Sequence, residues 1–146
     1  MYHLPGGRHG PLTLEGIHTN TVRALGSNLD ITDAEAVLKG QALINQLGLN
    51  IDAVGSAIAW AFEAWERGLL TTADTDGIEL TWGNADAMLE LLQCIATRRG
   101  IGDLLAVELH GAVPGAGECE APSQAGRAKT GGIDLPIRTI RFLSLY

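Results

Sequence analysis

The residues whose types and spacing could do chemistry sit together at Asn45, Gly48, Leu49 and Asn50. Each Asn side chain carries one carbonyl acceptor and one NH2 donor. With the unpaired N–H groups that open a following helix, they can face a planar heterocycle or an anionic group. The same residues also read as the turn of an αα-hairpin, where Asn beside Gly satisfies backbone groups. Spacing alone does not choose between turn and cradle.

Other chemistry is thin. His3, His9, His18 and His110 have no metal-ligand spacing. Ser27 and Ser56 lie in no nucleophile-elbow context. Asp74-x-Asp76-Gly77 resembles the start of a calcium loop, but the position that should carry a bidentate Glu is Ala85, so the stretch reads as a solvated turn. Trp60, Phe62 and Trp65 fall at helical spacing in an acidic chain and read as core or interface, not as a base-stacking platform.

Two helical patterns must position the hinge. Thr32-Asp33-Ala34-Glu35 reads as a capping box with Thr32 as N-cap. Ala36, Val37, Gly40, Leu43, Ile44 and Leu47 then form one apolar stripe that Gly48 stops. Asp52 reads as the next N-cap, and Ile51, Val54, Ile58, Ala61, Phe62 and Trp65 repeat the period up to Gly68. Ile78 to Asn84 reads as a short extended piece. Asn84 caps a third helix with Met88, Leu91, Leu92 and Ile95 on one face and Gly100 as its stop, and Ile101 begins a fourth. The fold class is all-α: a small multi-helix domain over residues 1–106, with an irregular lead-in over 1–13 rich in Gly and Pro. From about Val107 to Tyr146, Gly and Pro break any period, and the segment reads as an irregular tail.

Composition bounds the partners. At 146 residues the chain suits one domain with a real core. Its net charge of −7, without a run of Lys or Arg, argues against nucleic acid or an anionic membrane as partner. Only Cys94 and Cys119 are present and no signal-peptide pattern precedes them, so a reducing cytoplasm is the expected location. Hydrophobic residues reach 46% while charged ones reach only 18%, which points to apolar surface that meets a partner or a second copy.

Longer ordered stretches carry a resemblance. Leu25-Gly26-Ser27-Asn28, Asp33-Ala34-Glu35-Ala36-Val37-Leu38-Lys39 and Asn45-Gln46-Leu47-Gly48-Leu49-Asn50, in that order, resemble the central region of the aldehyde ferredoxin oxidoreductase family. Leu14-Glu15-Gly16, Leu69-Leu70-Thr71, Asp74-Thr75, Glu79-Leu80, Trp82-Gly83 and Ile101 to Ala106 extend it, and Lys129 to Pro136 resembles a later family segment. There are departures. Ile17, His18, Thr19 and Asn20 stand where the family has Pro-Glu-Tyr-Glu, so both of its carboxylates are missing. At the hinge the family carries an Asp-x-x-Gly-Leu-Asp type motif, and here both Asp are Asn.

The resemblance implies part of a tungsten enzyme that oxidises aldehydes to carboxylic acids at a bis-pterin centre and passes electrons through a [4Fe–4S] cluster to ferredoxin. By the same resemblance Asn45, Gly48, Leu49 and Asn50 contact one pterin. An ionised Asp presents two oxygens to ring N–H donors, where Asn presents one, so the cradle is expected to bind its pterin more weakly. The family's cluster cysteines have no counterpart here, Cys94 not being one of them. The chain is therefore expected to lack the enzyme's N- and C-terminal domains, as a truncated, split or decayed gene product, and to be inactive alone. The alternative is a non-catalytic helical interaction or dimerisation module that keeps only the scaffold.

Overall fold

A computed structural model describes the backbone of residues 2–111 and the side chains of residues 3–106. By internal contacts the chain divides into Met1–Ala116 and Gly117–Tyr146, and every element below belongs to the first unit. The order is β1 (Tyr2–Leu4), β2 (Leu12–Leu14), a short α1 (Thr19–Thr21), then α2 (Ala34–Leu47), α3 (Ile51–Glu66), α4 (Ala85–Thr97) and α5 (Ile101–Gly111). Helices dominate, in keeping with the all-α reading. Helix α5 runs on to Gly111, past Val107 where the tail was expected to begin. The rest of that tail, with Lys129 to Pro136 and Cys119, lies outside the described residues.

Inside the expected lead-in the structure has a two-stranded antiparallel ribbon, in which His3 pairs with Thr13 and Leu4 with Leu12. Leu12 and Leu14 are buried and Thr13 is exposed, the alternation of a half-buried strand. His3 Nδ1 lies 2.9 Å from Thr13 Oγ1 across the pair. The many Gly and Pro residues belong to the connection between the strands, which obscures strands this short. That connection is fixed to α2, because the His9 N–H donates to the Glu35 carboxylate at 2.9 Å.

This contact explains why the expected capping box does not form. Asp33, not Thr32, caps α2, its Oδ1 accepting from the Glu35 and Ala36 amides at 3.0 and 3.2 Å. Glu35 stands one position too early to close a box, and its carboxylate takes the hairpin amide instead. At the other end, Gly48 is left-handed (φ 65°), its N–H donates to Asn45 O, and Leu49 N–H donates to Ile44 O. Those two bonds form a Schellman motif. Leu47, expected in the buried stripe, is 39% exposed.

Between β2 and α2 the chain makes a turn of π-helix (Val22–Gly26) and a 3₁₀ turn (Ser27–Leu29) after α1. The wider π turn seats Ala24 on α3 at Gly55, where a side chain of any size would meet the Ala24 Cβ and carbonyl at 2.8 Å. Leu25, Leu29, Ile58, Phe62, Leu80, Met88, Leu91, Leu92 and Leu105 are fully buried and form the core.

The stretch expected to be extended forms no strand. Ile78 and Leu80 are buried with Glu79 exposed, so burial alternates. The segment is held by other bonds: Thr75 Oγ1 donates to Ile78 O at 2.7 Å, and Gly83 N–H donates to Leu29 O at 2.9 Å. Trp82 then sets its ring edgewise on Phe62 at 5.7 Å and donates its indole N–H to Glu66. Periodicity reports the buried face, but a strand also needs a neighbouring backbone.

Helix α4 starts at Asn84 as expected, with Oδ1 accepting from Ala87 N–H at 3.1 Å. It stops at left-handed Arg98 (φ 50°), not at Gly100. The earlier stop lets α5 begin at Ile101 in a tight corner, where Gly102 lies against the Cys94 carbonyl. Cys94 itself is buried. Arg99 Nη2 donates to its sulfur at 3.7 Å, and this contact raises the guanidinium pKa. Arg is charged throughout the working range, so the contact adds no pH dependence.

A Cβ at position 102 would fall 2.1 Å from the Cys94 backbone. Gly102→Ala is expected to lower stability by about 3 kcal/mol, despite the better helix propensity of Ala. Urea unfolding checks this, and an unchanged midpoint would refute the close approach.

Candidate cofactor pocket at the α2–α3 hinge

The hinge residues open onto a pocket of about 440 Å³. One wall is Ile44 and Asn45 from the last turn of α2, with Leu49, Asn50 and Ile51 from the hinge and the start of α3. The Schellman motif sets this wall, because ending α2 at Gly48 turns Leu49 back beside Ile44. Of the four hinge residues singled out by sequence, Asn45, Leu49 and Asn50 line the pocket and Gly48 does not. Gly48 supplies the corner.

Asn50 has a second duty. It is the N-cap of α3, its Oδ1 accepting from Ala53 N–H at 3.0 Å, whereas the sequence pointed to Asp52. An Asn two residues after the left-handed Gly48 is already in the extended conformation a cap requires (φ −83°, ψ 123°). Asp52 lies inside the first turn, where its carboxylate accepts from Arg23 at 2.7 Å and from Asn20 at 3.4 Å. That surface ion pair ties residues 20–23 to α3 and adds little energy.

Residues 18–21 and Gln41 complete the lining. Sequence reasoning did not select these as site residues. Gln41 is 2% exposed, with both ends of its amide engaged: Nε2 donates to Gly16 O at 2.5 Å and Oε1 accepts from His18 N–H at 3.4 Å. It fastens residues 16–18 to the helix that carries Ile44 and Asn45. The available signal was a polar residue one position after Gly40, within an otherwise apolar buried stripe.

Thr21 is fully buried, and its Oγ1 has no hydrogen-bond partner. A buried hydroxyl left unpaired costs about 1–3 kcal/mol, and no water-sized atom reaches this one from the pocket. Among the described residues, no group of three or more His, Cys, Asp or Glu is placed to hold a metal ion. Among them, too, no helix is long and apolar enough to cross a membrane.

The described residues thus form a small helical domain with a polar pocket at a helix hinge. The particular family follows from comparison: the chain belongs to the aldehyde ferredoxin oxidoreductase family, matching "Aldehyde ferredoxin oxidoreductase, domains 2 & 3" over residues 2–132. It is 38% identical over 82 residues to the aliphatic sulfonate oxidoreductase, WOR-like subunit, of Pyrococcus furiosus, covering 56% of this chain and 13% of that protein. It is 33% identical over 93 residues to the tungsten-containing aldehyde ferredoxin oxidoreductase of the same organism, covering 63% and 15%. The corresponding enzyme of Thermococcus kodakarensis is 32% identical over 93 residues, again covering 63% and 15%. The chain thus spans 13–15% of the length of these curated relatives, which are larger enzymes.

The pocket residues fit a pterin, a flat bicyclic heterocycle with an amide-like edge. The volume lies in the range of cofactor sites. Ile44, Leu49 and Ile51 offer apolar surface and Asn45 an amide. The one amide oxygen of Asn50 is engaged as a helix cap. An Asp there could cap with one oxygen and keep the other for a ligand.

Two stability effects of opposite sign follow. Thr21→Val is expected to stabilise the ligand-free chain by about 1 kcal/mol, since it removes the unpaired hydroxyl at equal volume. Asn50→Ala is expected to cost about 1 kcal/mol through the lost cap. Thermal unfolding of both variants checks the pair.

Proposed function

We propose that this chain forms one wall of the pterin site in a tungsten-dependent oxidoreductase that converts aldehydes to carboxylic acids. The observation that carries the reading is the pocket itself, which the hinge residues Asn45, Leu49 and Asn50 line. Family membership supplies the cofactor class. When bound, a tungsten–bis-pterin centre supplies the two-electron oxidation of the aldehyde.

The chain's own residues bind and orient. Asn45 and the free end of Asn50 hydrogen-bond the pterin edge. Ile44, Leu49 and Ile51 exclude water from its faces. Gln41 ties residues 16–18 to the helix that carries Ile44 and Asn45. In this reading the [4Fe–4S] cluster and the surface that hands electrons to ferredoxin belong to other parts of the enzyme, as do the remaining pterin contacts. The enzyme works in the cytoplasm, and this chain alone is inactive.

Titration with a soluble pterin, followed by its fluorescence, tests the site. Saturable quenching is expected, and Asn50→Asp should tighten it about fivefold, the equivalent of about 1 kcal/mol from a charged acceptor. Absence of saturable quenching in both proteins would overturn the assignment. The purified chain is expected to hold no stoichiometric tungsten by elemental analysis and to show no aldehyde-dependent dye reduction. Activity in the chain alone would refute its role as a partial site.

A further inference from the structure

Charge is unevenly spread over the chain. Residues 16–22 and 40–51 contain no Asp, Glu, Lys or Arg, and the second stretch is the longest uncharged run in the sequence. Such a run is ordinary where a helix is buried, as over residues 53–62, of which only Ser56 is exposed. On a surface it is unusual. Here Asn45 to Gly48 and Asn50 are exposed, as are Ile17 to Asn20 and Val22.

The fold brings the two stretches together. The Gln41 amide bonds the Gly16 carbonyl and the His18 N–H, and every residue lining the hinge pocket comes from one stretch or the other. Among the described residues five large hydrophobic side chains are exposed, and three of them, Ile17, Val22 and Leu47, belong here. None of these three lines the pocket, so a small molecule held in the cavity does not account for them. At the margin Arg23 pairs with Asp52, which also accepts from Asn20 of the lining. Both charged side chains stay well exposed, at 68% and 47%. An uncharged, partly apolar area with charges at its margin has the make-up of a protein–protein contact.

Charge also selects the partner. The chain carries a net −7, so two copies repel one another unless they meet over a surface free of carboxylates. This surface is free of them up to its border. There the two signs stand side by side, so a two-fold contact sets Arg23 of each copy near Asp52 of the other, the self-complementarity that an isologous contact requires.

We propose that two copies of this chain pair through this uncharged surface, with Ile17, Val22 and Leu47 as its apolar anchors. The area is small beside a standard interface of about 20–30 residues a side, so the pairing is weak and shows only in concentrated protein. The inference goes beyond the cofactor reading: it concerns the surround of the pocket, and it stands whether or not a pterin binds.

Sedimentation equilibrium of the whole chain, from about 10 μM to about 1 mM, tests it. A monomer–dimer equilibrium is expected. Val22→Lys and Leu47→Lys each bring a hydrated ammonium into the contact and should weaken pairing about tenfold. Leu69→Lys is the control, because Leu69 is an equally exposed leucine outside the two stretches, and it should leave pairing unchanged. All three substituted side chains are exposed, and an unchanged melting temperature separates a lost contact from a lost fold. A chain that stays monomeric throughout overturns the inference, as does association that continues past the dimer. So does a dimer that neither Val22→Lys nor Leu47→Lys weakens, or one that Leu69→Lys weakens as much.

Discussion

A single left-handed residue at position 48 decides where α2 ends and, two residues later, where α3 begins. Glycine takes that conformation without the clash a Cβ brings. Once it does, Leu49 folds back over Ile44 and Asn50 reaches the extended geometry from which it caps the next helix. The polarity of the hinge is thus built from helix-ending and helix-starting requirements. Of the two readings first open for this stretch, the structural turn is the one these bonds form.

What the sequence made legible follows from the range of each signal. Helix stripes and the left-handed stop at Gly48 are local, and the structure has α2, α3, α4 and the start of α5 at the expected places. Caps were legible to within a residue or two. The choice of Asp33 over Thr32 depends on Glu35 being drawn to the His9 amide, a partner 26 residues away. The π turn of Val22–Gly26 and the failure of residues 78–84 to pair arise from tertiary packing onto Gly55 and from the bond to Leu29, which no local pattern encodes. Half of the pocket was hidden for the same reason. Asn45, Leu49 and Asn50 are contiguous with a motif, whereas Thr21 and Gln41 become pocket residues only when α1 folds across α2.

One buried side chain of the pocket lining is left with an unpaired polar atom. Thr21 buries a hydroxyl without a partner in a domain whose other fully buried side chains are mostly apolar. Thr75 is a useful contrast, since it is equally buried and its hydroxyl donates to Ile78 O at 2.7 Å. The fold can satisfy a buried threonine, and at position 21 it does not.

Gln41 gives the pocket a property beyond its shape. It lies four residues before Asn45, one helical turn away on the same face of α2, and it grips the backbone on both sides of Ile17. Residues 16–18 are therefore tied to the helix that carries Ile44 and Asn45. A ligand entering such a site loses its own freedom but does not have to freeze two independent walls, so less of the contact energy is consumed in ordering the protein. In entropic terms, preorganisation of this part of the enzyme resides in a single amide side chain.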